Sequence, residues 1–259
     1  MTTNRITYCT MTALCAGFGA ITALAQTAPL ATPPPPQWQS SAALGVTLTR
    51  GNSDTTLVSA EARTEDKWDA VNDLTLGANG LYGNQKTLGE NKSTETADLL
   101  HGFGQYNRIF AADKLYGFLR VDGLHDGIAD IQYRLTTSPG LGYYVVKEKN
   151  TEVGVEVGPG WIDEKLGHEY RNFAVLRLAE TIKQTISDRA RAWEMLEYLT
   201  EMDKLDNYIM NAEIGIEADL TKKKNLSLRL TLDDSYNNDP AVGRLKNDLK
   251  LIASVAYKF

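Results

Sequence analysis

The sequence has only two cysteines, Cys9 and Cys15, and both lie close to its amino terminus. The rest of the chain therefore cannot form a disulfide or a thiolate metal site. Its three histidines, His101, His125 and His168, belong to no His-Glu-x-x-His motif and to no closely spaced ligand set. We predict that the protein has no metal site and no cofactor.

Other common signals of function are absent as well. The sequence has no phosphate-binding loop, dinucleotide fingerprint or nucleophile-elbow motif, so we predict no catalytic and no cofactor-binding residues. A formal net charge of −6, without a basic stripe interleaved with aromatics, argues against nucleic acid as a partner. No run of about 18 apolar residues marks a transmembrane helix. A membrane β-barrel escapes this criterion, because only every second residue of its strands faces lipid.

The first residues have the pattern of an exported protein. Arg5 precedes a mainly apolar run of small residues that ends in an A-x-A cleavage pattern at Ala25. We predict a Sec-type signal peptide over residues 1–25, cleaved between Ala25 and Gln26. Residues 26–37 are rich in proline, which fixes φ and lacks an amide donor, and they are predicted to form an extended linker.

The stretch 245–259 has the clearest pattern of the chain. One set of alternate positions is almost wholly apolar and ends in Tyr257 and Phe259, whereas the other set carries most of the charge. Side chains of a strand point alternately to its two faces, so this stretch is predicted to be one two-faced β-strand. It exceeds the usual strand length of about 5–6 residues. A long strand with an aromatic end is typical of the closing strand of an outer-membrane β-barrel.

Similar alternation recurs throughout residues 38–259. It predicts twelve antiparallel strands, an even number, as a single-chain bacterial barrel requires. The turns on the side of the two chain ends are short and charged, whereas the longest connections, 85–93 and 237–243, fall on the other side. We therefore predict an all-β fold, a transmembrane antiparallel up-and-down barrel of about 12 strands, formed by residues 38–259 after a cleaved signal peptide.

Some strands are less regular than the others. Residues 169–185 and 189–201 mix polar and apolar side chains on one face, and the stretch around Trp193 is also compatible with a helix. Pro139 falls inside the sixth strand and predicts a bulge or a local break, because proline cannot donate to the ladder. In the fourth strand, His101 shares the face of apolar residues and is assigned to the lipid side.

The alternation alone does not distinguish the inside of a barrel from its outside. A soluble periplasmic barrel places its apolar face inward and a membrane barrel places it outward, with the same period. Two further points favour the membrane barrel. The strands are long enough to cross an apolar girdle of about 25 Å, and a closed barrel satisfies every backbone donor and acceptor within lipid.

Several motifs point to one family. The sequence resembles the YdiY-type salt-induced outer-membrane proteins, a family of unknown function, in five stretches: 45–52 (GVTLTRGN) with Asp54, 66–68 (DKW), 139–143 (PGLGY) with Tyr133 and Arg134, 157–160 (VGPG) and 254–259 (SVAYKF). The resemblance covers nearly all of residues 38–259. It implies a β-barrel in the bacterial outer membrane and a link to salt stress, and it carries over no catalytic residue.

Two sets of residues follow from the predicted barrel. Alternate positions of the last strand resemble the signal that the outer-membrane assembly machinery reads; these are Leu251, Ala253, Val255, Tyr257 and Phe259. The opposite faces of the last three strands would place charges of both signs in the lumen; these are Glu213, Glu217, Asp219, Arg229, Lys246, Asp248 and Lys250. Such charges either pair across a narrow lumen and plug it, or line a polar channel.

The main hypothesis is accordingly a non-enzymatic outer-membrane barrel, exported through the Sec pathway, that is either structural or a narrow pore. Its predicted partners are outer-membrane lipid, the assembly machinery and small polar solutes. Two alternatives stay open. One is a lipid-modifying enzyme with a Ser-His pair on its outer wall, for which His101 is the only candidate histidine. The other is a soluble periplasmic β-barrel that binds a ligand.

Overall fold

Twelve antiparallel strands form one closed barrel, in which each strand pairs with its neighbours in sequence and β1 pairs with β12. A computed structural model describes residues 38–49, 53–69, 71–87, 92–111 and 114–259. The strands are β1 Gln39–Thr49, β2 Ser53–Lys67, β3 Asn72–Thr87, β4 Thr94–Ala111, β5 Leu115–Asp126, β6 Ile131–Lys147, β7 Thr151–Leu166, β8 Glu169–Ser187, β9 Ala190–Glu201, β10 Tyr208–Asp219, β11 Leu226–Asn237 and β12 Asn247–Lys258. The predicted all-β fold and number of strands are confirmed.

The predicted signal peptide and the linker 26–37 lie outside the described residues, as does the cleavage site between Ala25 and Gln26. They remain predictions.

The pairing of β1 with β12 closes the barrel. The two strands are in register from Ser41 to Leu44 of β1, and the backbones of Ser40 and Phe259 exchange two more hydrogen bonds, of 3.0 and 3.3 Å. β12 is shorter than the strand predicted over 245–259, because residues 245 and 246 belong to the connection that precedes it. The seam joins the two edges of the sheet from Ser40 to Leu44 of β1, so their backbone groups pair within the protein.

The exposure of alternate side chains distinguishes the inside from the outside. On β11, Leu228, Leu230 and Leu232 lie on the outer surface, with exposed fractions of 52%, 42% and 37%. Between them, Arg229 and Thr231 line the lumen. Large apolar side chains are exposed in the same way on the outer face of the other strands. A soluble barrel has the reverse arrangement, so this fold is that of a transmembrane β-barrel.

Aromatic side chains lie at both edges of the apolar outer belt. We call the rim with the start of β1 and the end of β12 the terminal rim, and the other one the opposite rim. Near the terminal rim the rings of Tyr257 and Phe259 stack 6.3 Å apart. Near the opposite rim Tyr208 lies between Tyr198 and Tyr236, at 5.4 and 5.6 Å. Such aromatic girdles mark the two membrane–water interfaces of transmembrane barrels.

The connections differ between the two rims. Those at the terminal rim are short, and the longest connection of the barrel, 238–246, is at the opposite rim. In the β2–β3 turn, the carboxylate of Asp69 accepts hydrogen bonds of 2.8 Å from the amides of Val71 and Asn72. These bonds, with a third from the Asn72 side chain, hold the pKa of Asp69 below its usual value. The turn is thereby fixed by local contacts.

The stretch around Trp193, whose sequence is also compatible with a helix, lies in a regular strand, β9. β9 pairs along its length with both β8 and β10, so the helical interpretation of the stretch around Trp193 is wrong. Trp193 and Glu197 line the lumen, and Leu196 is exposed on the outer face. Polar and apolar side chains are mixed on one face of this strand because the lumen wall contains apolar and aromatic residues as well as charged ones.

Pro139 interrupts a ladder without ending its strand. Pairing of β6 with β5 continues through Pro139, whereas pairing with β7 stops after Thr137 and resumes at Leu141 in the same register. A Cβ at Gly158 of β7 would overlap the backbone of Pro139. The PGLGY and VGPG motifs therefore lie side by side, and the close approach of their backbones requires glycine.

Four lumenal aromatic rings pack on glycines of a neighbouring strand. Each ring and its glycine are direct cross-strand partners, and a Cβ at the glycine would overlap the ring. The pairs are Phe103 with Gly77, Phe118 with Gly140, Tyr116 with Gly142, and Trp193 with Gly215. The absent side chain gives each ring a place on the inner wall, and so keeps it away from the axis of the barrel.

Gly215→Ala should destabilise the barrel by about 1–3 kcal/mol, because the added methyl group overpacks a wall position already covered by Trp193. The measurement is the free energy of unfolding in urea, in detergent micelles. Gly123→Ala is the matched control, since a Cβ at Gly123 meets no atom within 4 Å. Equal stability of the two variants would contradict this account of the glycine–aromatic pairs.

The lumen as candidate functional site

The lumen contains one continuous cavity of about 1040 Å³. Its lining includes Lys149 and Lys223, in turns of the terminal rim, and Asp126 and Pro240 at the opposite rim. The cavity thus reaches from one rim to the other. Twelve strands give a bore between that of a side-chain-filled eight-stranded barrel and that of a sixteen-stranded porin.

Arg177 is the centre of a charge network on the wall formed by β7, β8 and β9. Its Nη1 donates to Glu156 Oε2 at 2.7 Å, and its Nε donates to Glu197 Oε1 at 2.6 Å. The Arg177 side chain is only 3% exposed. Glu156 also accepts hydrogen bonds from Gln105, at 2.7 Å, and Tyr116, at 3.0 Å. This network spans from β4 to β9 and satisfies both carboxylates.

A second network surrounds Glu217 near the terminal rim. Arg229 donates from Nη2 at 3.0 Å and Arg191 donates at 2.7 Å. Ser227 donates to the same carboxylate, and Lys258 Nζ lies 3.0 Å from it. The side chain of Glu217 is 1% exposed. Three basic groups from three different strands therefore surround one buried carboxylate. Two of them contact a further carboxylate each, Glu61 for Arg229 and Asp219 for Lys258.

The third network lies near the opposite rim. Arg134 Nε donates to Glu164 Oε2 at 2.6 Å, and the Glu164 side chain is 2% exposed. Arg171 lies 3.5 Å from Glu164 and 3.1 Å from Asp239. Since Asp239 belongs to the connection 238–246, this network links the wall of the barrel to the longest connection.

The connection 238–246 crosses the mouth of the lumen at the opposite rim. Ala241 is buried against Ile131 of β6 and Leu166 of β7. These strands lie on the far side of the twelve-stranded ring from β11 and β12, which the connection joins. The ion pair between Arg171 and Asp239 fixes a second point. The connection therefore narrows this mouth.

Three lumenal arginines also contact the aromatic rings that pack on glycines. The guanidinium carbon of Arg120 lies 4.5 Å from the ring centroid of Phe103. The corresponding distance is 5.3 Å between Arg177 and Phe118, and 5.6 Å between Arg229 and Trp193. Cation–π contacts of this kind add to the ion pairs. Together they hold the arginines against the wall rather than across the axis.

His101 faces the lumen, and its prediction as a lipid-facing residue is wrong. Nδ1 lies 3.0 Å from Asn79 Oδ1, and Nε2 lies 3.2 Å from Asp122 Oδ1. Asp122 in turn accepts two hydrogen bonds from Arg120. The error arose because the inner face of β4 also carries apolar side chains, such as Phe103, which resembled a lipid-facing stripe.

The charges predicted for the lumen occupy different surroundings. Glu217 and Arg229 belong to the same network, as described, and Asp219 accepts from Lys258 at 2.7 Å. Glu213 accepts from Trp193 Nε1. The remaining three predicted residues, Lys246, Asp248 and Lys250, line the cavity towards the opposite rim. The Nζ of Lys250 lies 3.6 Å from Asp126. Lys246 lies in the connection 238–246 and donates to Asn238 at 2.9 Å.

Sequence reasoning missed the two networks centred on Arg177 and Glu164. It considered lumenal charges only on the last three strands. The same alternation on β6 to β8 places Arg134, Glu164 and Arg177 on one face of the sheet, and that signal was present in the sequence.

The predicted assembly-signal residues lie on the outer face of β12 and just after it. Leu251, Val255, Tyr257 and Phe259 have exposed fractions between 47% and 72%, and Ala253 is exposed too. They are therefore placed on the surface that faces lipid.

Within the described residues, no helix has the length and apolar character needed to span a membrane. In the same part of the chain, no three His, Cys, Asp or Glu side chains are grouped so that they would hold a metal ion.

The closed strand order, the apolar outer belt and the charged lumen define a transmembrane β-barrel with a polar interior. The chain belongs to the family described as "Protein of unknown function, DUF481", whose family model matches residues 42–259. This confirms the family predicted from the motifs. No curated protein sequence matches the chain.

Solved structures with a similar fold include three outer-membrane proteins. A structure of the NanC porin has a TM-score of 0.49 at 10% identity and covers 85% of this chain and 100% of its own. An outer-membrane channel from Pseudomonas putida F1 has a TM-score of 0.49 at 10% identity, with coverages of 87% and 96%. The KdgM porin in complex with disordered oligogalacturonate has a TM-score of 0.46 at 8% identity, with coverages of 86% and 99%. These likenesses are limited, and the fold assignment rests on the barrel's own strand pairing.

Arg177→Met should destabilise the barrel by about 3 kcal/mol, because it leaves Glu156 and Glu197 without a cation in a largely buried setting. Lys183→Met is the matched control. Lys183 is 48% exposed and its ion pair with Glu152 is long, at 3.5 Å, so its loss should cost less than about 1 kcal/mol. The measurement is urea unfolding in micelles, and equal losses would contradict the assigned role of the Arg177 network.

Proposed function

We propose that the protein is a narrow, non-enzymatic channel of the bacterial outer membrane through which small polar solutes and ions pass. The observation that carries this proposal is the cavity of about 1040 Å³, whose lining reaches from one rim to the other. The lining is charged and polar, as in water-filled barrels. The contacts of Arg120, Arg177 and Arg229 with aromatic rings support an open path, since they hold these basic side chains against the wall.

The proposal includes the location and assembly of the protein. Export through the Sec pathway would remove residues 1–25 by cleavage between Ala25 and Gln26, and residues 26–37 would link the new amino terminus to the barrel. Leu251, Ala253, Val255, Tyr257 and Phe259 would be recognised by the assembly machinery, and the apolar belt would contact outer-membrane lipid. A role under salt stress derives only from the family resemblance.

Two other functions have less support. The lipid-modifying enzyme relied on His101, which faces the lumen, where Asn79 and Asp122 contact it. The soluble binding protein requires an apolar interior and a polar exterior, which is the reverse of the observed arrangement. A purely structural barrel shares the whole fold with the channel, and only the passage of current distinguishes these two functions.

The detergent-purified protein should produce unitary current steps in planar lipid bilayers. We expect the steps to be smaller than those of a sixteen-stranded porin under the same conditions, because the bore is narrower. Replacement of residues 239–244 by two glycines should enlarge the steps, because it removes the part of the connection that crosses the mouth.

The control for this variant is Val242→Ser in the same connection. Val242 is fully exposed, so the steps should keep their size. If protein inserted into the bilayer passes no current, the channel is excluded and the structural barrel is favoured.

A further inference from the structure

Most basic side chains inside the lumen already contact a carboxylate. Every arginine in the three networks contacts at least one acid, and Arg120 contacts Asp122 at 2.7 Å. Near the terminal rim, Arg63 and Lys183 contact Glu65 and Glu152. The inner wall therefore offers an anion few basic groups that are not engaged.

Carboxylates, in contrast, are in excess on the wall of β10, β11 and β12. Glu213 and Asp233 are direct cross-strand partners, and both line the cavity. Among the described residues, neither carboxylate has a basic group within 4.0 Å, and Lys250, the neighbour of Asp233 on β12, reaches across to Asp126 instead. Asp248 lines the cavity on the same wall. Like charges placed directly opposite each other are destabilising, and mobile cations in the lumen would relieve this repulsion.

We propose that the lumen selects cations over anions, and that Glu213 and Asp233, with Asp248 beside them, determine this preference. The inference deepens the proposed function and rests on it, since it names the charge of the solutes that pass. It depends on the balance of charge along the whole inner wall together with the continuous cavity, and it requires no fixed binding site for one ion.

The lysines at the terminal rim do not cancel this preference. Lys149, Lys223 and Lys224 line that mouth, but they belong to turns in contact with solvent, where salt screens a charge within about 8 Å at physiological ionic strength. Glu213 and Asp233 lie within the bore, where walls of low dielectric constant focus the field of a charge. At physiological salt, the interior residues therefore dominate the selection.

The test is the reversal potential of the protein in a planar bilayer, with a tenfold gradient of KCl at pH 8. We expect a K⁺ to Cl⁻ permeability ratio of about 30, the square of the roughly fivefold factor by which one unit charge about 4 Å from the path in water favours a cation and disfavours an anion. Current with a ratio of 1 or below overturns the inference and leaves the channel intact. A complete lack of current overturns both.

The double variant Glu213→Gln/Asp233→Asn should bring the ratio close to 1 while unitary steps persist, because amides keep the shape of the side chains and remove two charges. The control is Glu180→Gln. Glu180 is exposed on the outer face of β8, so the same chemical change there should leave the ratio unaltered. Heat-modifiable mobility on gels verifies that each variant is folded. An unchanged ratio in the folded double variant would overturn the assignment to these two residues.

Discussion

Hydrocarbon offers no hydrogen-bond partner, so every backbone amide and carbonyl in the lipid-facing wall must be satisfied inside the protein. The pairing of β1 with β12 serves this requirement, because it joins the two edges of a twelve-stranded sheet from Ser41 to Leu44 of β1. The hydrogen bonds between Ser40 and Phe259 continue this seam to the terminal rim. Once the sheet is closed, alternation along each strand places one set of side chains in lipid and the other in a confined lumen.

The lumen then has to accommodate charged residues in a small space. The structure does so by placing aromatic rings on glycines and arginines on the rings, with carboxylates at the ends of the arginines. Arg177 illustrates the arrangement, since it contacts Phe118, Glu156 and Glu197 at once. The glycines let the rings lie on the wall, and the rings and carboxylates hold the arginines there. The same device explains why the bore stays continuous although it contains many long side chains.

Period-two alternation predicted most of the strands, because alternation is a local property of the sequence. The turns between them completed the number of strands and supported the barrel. The sequence of β4 alone did not show which of its faces points inward. His101 and Phe103 share a face that looks apolar in isolation, and only the register with β3 and β5 shows that Asn79 and Asp122 contact His101. The charge networks of the lumen likewise depend on strand pairing and not on local sequence. Glu156 and Glu197 are distant from Arg177 in sequence and meet it through the pairing of β7, β8 and β9.

The central claim is that apolar side chains face lipid and charged ones face a water-filled lumen. Nitroxide labels at Leu230→Cys and Thr231→Cys, neighbours in the middle of β11, test it directly in lipid vesicles. Both native cysteines precede the barrel, and both are replaced by serine in these variants. The account predicts that the label at 230 collides mainly with oxygen, which concentrates in lipid, and that the label at 231 collides mainly with a water-soluble nickel chelate. The reverse preference, or equal access of the chelate to both labels, would contradict the account.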